Sequence, residues 1–192
     1  MAAEVRRPLP PGHFKAGFGR KNEFILPHIL GWTADPAEVQ RLARRKEELY
    51  REVVRERGIE PLPGVREFLV RLQAAGVPCA IGSSTERKNI DAILALIGFA
   101  PFFRAIVSAD DVTAGKPDPQ VFLLAAQRIG VPPARCVVFE DALVGLEAAR
   151  AGGMKVVGVT TTHPEEKLAG ADRVVRRLDE LTVADLTGLT DG

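Results

Sequence analysis

Cysteine is scarce here: two residues in 192, Cys79 and Cys136, with three histidines and no Cys-x-x-Cys spacing. That argues against a zinc site. Both cysteines fall in short apolar runs that read as buried strands, where a small reduced thiol packs well. Net charge is also nearly absent, because 26 Lys+Arg face 25 Asp+Glu for a total of +1. No strong non-specific attraction to nucleic acid follows from such a balance. No uncharged apolar run reaches the 18 or so residues needed to cross a bilayer, and Met1–Gly12 has no apolar stretch of the kind that marks a secretory signal. Reduced cysteines without a signal lead one to expect a cytoplasmic address. The familiar nucleotide and hydrolase signatures are missing too. Around Gly115-Lys116, a phosphate-binding P-loop would need Gly where Asp110 stands and Ser or Thr where Pro117 stands. No Gly-x-Gly-x-x-Gly follows a strand, Gly17-Phe18-Gly19 being too short a match, and no Gly-x-Ser-x-Gly occurs. Repeats and low-complexity tracts are absent.

What is present reads as one globular domain, or one with a small insert. Hydrophobic residues are 46% and charged residues 27%, which excludes low-hydrophobicity disorder. Prolines 8, 10 and 11 with Gly12 keep the first dozen residues irregular. A helical segment is expected over Lys21–Leu30. Asp35-Pro36 then starts a helix, Asp as cap and Pro in the first turn, that runs to about Arg57 and stops at Gly58. Its apolar stripe is Val39, Leu42, Ala43, Tyr50, Val53 and Val54. Ile59–Gly64, with two prolines, marks a boundary. Residues 1–62 are expected to form a helical unit, and 63–192 an α/β core.

Beyond Gly64 the helices Val65–Ala75, Arg87–Ile97, Pro119–Ile129 and Leu143–Ala151 alternate with apolar runs at Val77–Gly82, Ala105–Val107, Cys136–Phe139 and Val156–Val159, and Val174-Val175 forms a last short strand. Continuous apolar strands alternating with helices predict a Rossmann-like parallel sheet covered on both faces. Ligands in such sheets bind at the carboxyl ends of the strands. Three groups fall there: Ser83-Ser84-Thr85, Gly115-Lys116-Pro117-Asp118-Pro119, and Glu140-Asp141. Hydroxyls and backbone N–H groups, a rigidly presented lysine and two adjacent carboxylates make the inventory for a phosphate beside a divalent metal. Each also has a plainer reading: Thr85 capping the next helix, Lys116 as a solvated loop lysine, and Glu140-Asp141 as a solvated pair at a helix start. Lys46 lies out of pattern in the apolar stripe, where it either snorkels to water or faces a ligand.

The order and spacing of these groups resemble the haloacid-dehalogenase-like superfamily of phosphatases and phosphomutases, and within it the β-phosphoglucomutase-like group, from about Phe14 onward. Ala80-Ile81-Gly82-Ser83-Ser84 looks like the family's second motif, whose Ser/Thr binds the transferring phosphoryl group. Gly115-Lys116-Pro117-Asp118-Pro119 looks like the third, whose Lys neutralises that group. Val137-Val138-Phe139-Glu140-Asp141-Ala142 followed by Gly145 looks like the fourth, whose acids hold Mg²⁺. The resemblance implies Lys116 and Ser83 as catalytic groups, Ser84 and Thr85 at the phosphate, and Glu140 and Asp141 as metal ligands. It also implies a helical cap in which Gly17–Asn22 looks like a substrate loop whose Arg20 grips a phosphorylated substrate, while Lys46 matches a cap lysine of the mutases. The substrate it implies is a small phosphorylated metabolite, favouring a sugar phosphate, handled by a monomer with no nucleic acid and no membrane.

One part of the family pattern is missing. A nucleophilic Asp, and an acid/base Asp two residues later, should follow the first strand ahead of the cap. Here Asp35 is the one Asp before Asp91, no apolar strand precedes Phe14, and no Asp-x-Asp occurs. The sequence is therefore expected to begin inside the cap, short of a strand, its turn and a helix, about 30 residues in all. Without the nucleophile no aspartyl-phosphate forms. The chain by itself is expected to be inactive, or else a non-catalytic remnant that binds a phosphorylated ligand or a protein partner. Asp110 and Asp111 follow a different strand and are no substitute. The absent strand would be the central one, so its neighbours must either pair with each other or leave backbone groups unpaired.

Overall fold

A computed structural model describes residues 1–191. The N-terminal part is built of helices joined by irregular segments. It contains α1 (His13–Gly17), α2 (Asn22–Phe24) running into a π-helical turn over Ile25–Ile29, and α3 (Pro36–Arg57). Helix α3 begins and ends as its sequence dictates. The Asp35 carboxylate accepts the Ala37 N–H at 3.2 Å, and Gly58 leaves the helix at a φ of 71°. Val39 and Leu42 pack with Leu26 and Trp32, whose indole N–H donates to the Pro8 carbonyl at 2.8 Å. The expected stripe is only half right: Tyr50 and Val53 face solvent, and the buried position between Leu42 and Val54 belongs to Glu47.

The second part alternates helix and strand: α4 (Val65–Ala74), β1 (Cys79–Gly82), α5 (Arg87–Ile97), β2 (Phe103–Val107), α6 (Gln120–Ile129), β3 (Val137–Glu140), α7 (Leu143–Ala151), β4 (Lys155–Val159) and β5 (Arg173–Val175). All strand pairs are parallel, as the run pattern predicts. Helix α8 (Val183–Thr190) closes the chain; the Thr182 hydroxyl and the Asp185 carboxylate cap its start reciprocally. The two faces of the sheet carry separate apolar layers. One joins Val121, Phe122 and Ala126 of α6 with Leu146 of α7 and Val156; the other joins Phe68 and Leu72 of α4 with Leu181, Leu186 and Val157.

The sheet is not continuous. Strand β1 pairs with β2, and β4 lies between β3 and β5, but β1 and β3 do not pair. The two strands expected to flank a central one do not pair with each other. The consequence shows in burial: β4 is buried over Val156–Val159, whereas every residue of β1 and β3 stays half-buried. The expectation that Cys79 and Cys136 lie deep in buried strands is corrected accordingly. Both are free thiols of intermediate burial, Cys136 just ahead of β3, although burial still pushes each thiol's pKa up.

Asp110 and Asp111 are scaffold residues. The Asp110 carboxylate accepts the Arg87 N–H at the start of α5, at 3.0 Å. Asp111 Oδ2 accepts the N–H and hydroxyl of the fully buried Ser108 at 2.8 and 2.7 Å, and Oδ1 accepts from Arg128 at 2.6 Å. The backbone N–H of Ser108 first, then Arg128 and the Ser108 hydroxyl, hold its pKa down at about 2. A depressed carboxylate stabilises the fold above its unfolded value, and that contribution fades as pH falls through the folded value. Melting temperatures from pH 5 to pH 2 are therefore expected to fall more steeply for the parent than for Asp111→Asn. Parallel curves would show that Asp111 carries no linked proton.

Candidate active site

Lys116, in the loop before α6, meets Glu140 at the carboxyl end of β3, and the Phe122 ring beneath it also packs against Gly82 at the end of β1. The Lys116 side chain is 6% exposed and that of Glu140 10%, and the two form an ion pair through Lys116 Nζ and Glu140 Oε1. Lys116 Nζ also stands over the Phe122 ring, 4.4 Å from its centroid. The second Glu140 oxygen, Oε2, accepts the N–H groups of Asp141 and Ala142, each at 3.1 Å. Burying such a pair is tolerable because both charges are met and the remaining lone pairs are used. The reading of Lys116 as a solvated loop lysine does not hold. Asp118 caps α6 as expected, its Oδ1 accepting the Gln120 N–H at 2.9 Å.

Asp141 is oriented differently from its neighbour. Its Oδ2 accepts the hydroxyls of Thr161 and Thr162 at 2.5 and 2.7 Å, while Oδ1 accepts no hydrogen bond among the described residues. Mg²⁺ is commonly held by one or two carboxylates, with water and substrate phosphate completing the shell. The donor chemistry at this rim fits that pattern: Asp141 offers a free oxygen, and Glu140 would share its charge between the metal and Lys116. A larger cluster of ligating side chains does not exist among the described residues.

At the end of β1 the Ser83 N–H donates to the Val107 carbonyl at 2.9 Å, and Ser83 Oγ accepts the Thr85 N–H at 3.2 Å. The hydroxyl proton has no acceptor among the described residues, which leaves Ser83 able to donate to a ligand. Thr85 is committed to the scaffold: its Oγ1 accepts from Asn89 at 3.1 Å and its carbonyl accepts the Ala109 N–H at 2.8 Å. Ser84 makes no hydrogen bond among the described residues and is partly exposed beside it.

The loop Gly17–Arg20 comes down on this rim. Gly19 has a φ of +77°, and a Cβ there would meet the Ala142 Cβ at 2.9 Å, so only glycine permits the close approach to the residue after Asp141. This glycine lies in the stretch that is too short to count as a nucleotide motif, and it serves here for a different reason. The adjacent Arg20 guanidinium lies over the Phe24 ring at 4.3 Å. Lys21 ties the same loop to the core by donating to the carbonyls of Ala109 and Val112 at 3.0 and 2.7 Å.

Lys46 does not join the strand-end residues. Its ammonium donates to Glu47 Oε1 at 2.5 Å, and its side chain remains 40% exposed. Glu47 is the centre of a buried polar cluster that sequence reasoning missed. Asn22 donates to it at 2.6 Å and Asn89 at 2.5 Å, while Arg51 reaches both Asn89 and Glu86. Burial pushes the Glu47 pKa up, but the hydrogen bonds from Asn22, Lys46 and Asn89 outweigh it and leave the pKa lowered. One signal was available. Asn89 sits four residues before Ile93 and eight before Ile97, a polar residue on an apolar helical stripe. Glu47 gave none, lying within the charged run Arg44–Glu48.

The convergence of a buried cation, a free hydroxyl donor and an open carboxylate oxygen suits a phosphoryl group carried with a hard divalent cation. Comparison with known proteins agrees with that chemistry. A family model for haloacid dehalogenase-like hydrolases matches residues 15–153. The 5-amino-6-(5-phospho-D-ribitylamino)uracil phosphatase of Arabidopsis thaliana chloroplasts is 39% identical over 189 residues, 98% of this chain and 50% of that protein. The β-phosphoglucomutase of Bacillus subtilis is 36% identical over 148 residues, 77% of this chain and 63% of that protein. The chain thus spans between half and two-thirds of the length of these relatives. Among solved structures, a haloacid dehalogenase-family hydrolase of family IA, variant 3, from Entamoeba histolytica superposes with a TM-score of 0.88 at 25% identity, over 100% of this chain and 88% of that one.

Proposed function

The chain belongs to the haloacid dehalogenase-like hydrolase family, and from that premise we propose that its strand-end site binds the phosphoryl group of a small phosphorylated metabolite, a sugar phosphate in the first instance, together with Mg²⁺, for phosphatase or phosphomutase chemistry. The observation that carries this reading is the buried Lys116–Glu140 pair beside Asp141, whose Oδ1 is free, and Ser83 at the end of β1 is read with them. Lys116 sets positive charge where phosphoryl oxygens would lie, and Ser83 donates its free proton to one of them. Asp141, with Glu140, holds Mg²⁺, which when bound supplies further positive charge to the phosphoryl oxygens. Arg20, on the loop seated against Ala142, reaches the remainder of the substrate. The Lys46–Glu47–Asn89 cluster joins the helical cap of residues 1–62 to the core of 63–192 and supports the loop from behind.

In this reading the chemical step needs a nucleophilic carboxylate that these residues do not provide. Glu140 is committed to Lys116, and Asp141 to Thr161 and Thr162. The 192 residues by themselves therefore bind without turnover. A second reading, a purely binding role, is favoured by the absence of Asp-x-Asp from the sequence. Both are tested by titrating sugar phosphates calorimetrically with and without Mg²⁺, and then assaying phosphate release and sugar-phosphate interconversion with an apolar strand ending in Asp-x-Asp joined ahead of Met1. Binding is expected to need Mg²⁺, to weaken about tenfold or more in Ser83→Ala, since a hydrogen bond to a charged group is worth about 1.5–3 kcal/mol, and to lose its Mg²⁺ dependence in Asp141→Asn. Turnover only in the extended chain supports the catalytic reading; binding with no turnover in either form supports the second. Heats indifferent to Mg²⁺ and to both variants would sink both.

A further inference from the structure

Lys21 puts its charge on backbone. Its ammonium donates to the carbonyls of Ala109 and Val112 at 3.0 and 2.7 Å, across 88 and 91 positions of sequence, and both are charge-assisted bonds. Those carbonyls belong to a braced turn. The fully buried Ser108 and Asp111 cap it reciprocally, and Arg128 holds Asp111 from outside. From Val112 the chain runs directly to Lys116. The N–H groups of Thr113 and Ala114 both donate to Gln120 Oε1, at 3.0 and 2.9 Å, and Gly115 follows. The Lys21 stem lies on that glycine, where a Cβ would meet Lys21 Cγ at 3.1 Å and Cδ at 3.3 Å. Lys21 therefore touches the residue next to Lys116, while its own neighbour in the chain is Arg20. The loop that carries Arg20 is pinned at two further points: Gly19 sits against Ala142, and Asn22 donates to the buried Glu47 at 2.6 Å. Lys21 is the pin that reaches the segment carrying Lys116.

We propose that Lys21 is a positioning residue, a clasp whose ammonium fixes the span between Arg20 and Lys116 and so decides how well the site tells a phosphorylated sugar from bare phosphate. The inference rests on the reading of the strand-end site as a phosphoryl site. A ligand that meets Lys116 at one end and Arg20 at the other must find the two at one separation. A loose loop would have to be ordered when the ligand binds, which weakens binding; a clasped loop is ordered beforehand. Inorganic phosphate is too small to bridge the two groups, so it does not sense the clasp. The half-buried Lys21 touches no part of the apolar layers, and its two carbonyls can turn to water when it is replaced.

Lys21→Met tests this, because it keeps the stem on Gly115 and removes the clasp. Binding of glucose 6-phosphate and of inorganic phosphate is measured calorimetrically with Mg²⁺. The parent is expected to bind the sugar phosphate at least fivefold more tightly than phosphate. In Lys21→Met the sugar phosphate is expected to weaken at least fivefold, and phosphate less than twofold. Arg20→Ala should weaken the sugar phosphate by a similar factor, and adding Lys21→Met to it should cost less than a further twofold, since the clasp acts through Arg20. Hydrogen exchange reads the loop without any ligand. The Arg20 N–H, bonded to the Gly17 carbonyl at 3.1 Å, is expected to exchange at least fivefold faster in Lys21→Met, with Val156 and Val157 unchanged to show an intact core. Four results would each overturn the proposal: equal parent affinities for the two ligands, equal weakening of both by Lys21→Met, losses that add to those of Arg20→Ala, or an Arg20 amide that exchanges as in the parent. A parent that gives no Mg²⁺-dependent heat with either ligand would instead overturn the reading of the site itself, and this inference with it.

Discussion

Lys116→Ala is expected to destabilise the chain by about 3–5 kcal/mol, the usual result of removing one member of a buried ion pair. Against the roughly 5–15 kcal/mol that holds a typical domain folded, that brings the variant close to unfolding at 37 °C. The cost comes less from losing attraction than from what remains. Glu140, 10% exposed, keeps only the N–H groups of Asp141 and Ala142 for its charge, and Phe122 loses the cation over its ring. Urea unfolding measures the loss. A neutral partner identifies its origin: Lys116→Met with Glu140→Gln fills the space over Phe122, keeps an oxygen for the two backbone donors, and is expected to recover at least half of it. A single variant within 1 kcal/mol of the parent, or a double variant no better than the single, would mean that water screens the pair.

Gly145→Ala is expected to be destabilising by about 2–4 kcal/mol, against the ordinary sign of the substitution. Inside a helix, alanine is normally favoured over glycine by about 0.5–1 kcal/mol, and Gly145 is the third residue of α7. Here, however, an added Cβ would sit 2.6 Å from Glu140 Oε2 and closer still to the rest of that carboxylate. Glutamate is flexible, but this one is locked by Lys116 and two backbone N–H groups, so it must surrender them to move. The double-mutant cycle is decisive. In a Glu140→Ala background the obstruction is gone, and Gly145→Ala should become neutral or stabilising. Equal costs in both backgrounds would place the conflict elsewhere in α7.

The contrast between these residues and their neighbours shows how far the sequence could be read. Gly145 stood out only as part of a family motif; nothing in its local pattern says that a carboxylate five residues earlier folds back over it. Helix α3, by contrast, was legible to the residue, because Asp35, Pro36 and Gly58 act on the backbone next to them. The same holds for Asp118 and α6. Lys116 and Glu140, which meet in an ion pair, could be placed together from sequence because helix-strand alternation sends the residues after successive strands to the same end of the core. Arg20 is only half explained: its loop sits at the rim because Gly19 lets it, but its guanidinium rests on Phe24. Lys46 reads as out of pattern in the apolar stripe, yet its side chain is 40% exposed and the buried charge of α3 is its own neighbour, Glu47.

By itself, then, the sequence determined the parallel α/β core and the start and stop of α3, which follow from periodicity and from contacts a few residues apart. Only the tertiary structure decided that Glu140 faces Lys116 while Asp141 turns to Thr161 and Thr162, that Glu47 and Asn89 join the helical part to the core from 42 positions apart, and that β1 and β3 stand open rather than paired. The physical reason is common to all three. Each is a choice between partners far apart in the chain, and it is settled by which surfaces α4, α6 and α8 hold at a fixed spacing, a quantity that no local pattern encodes.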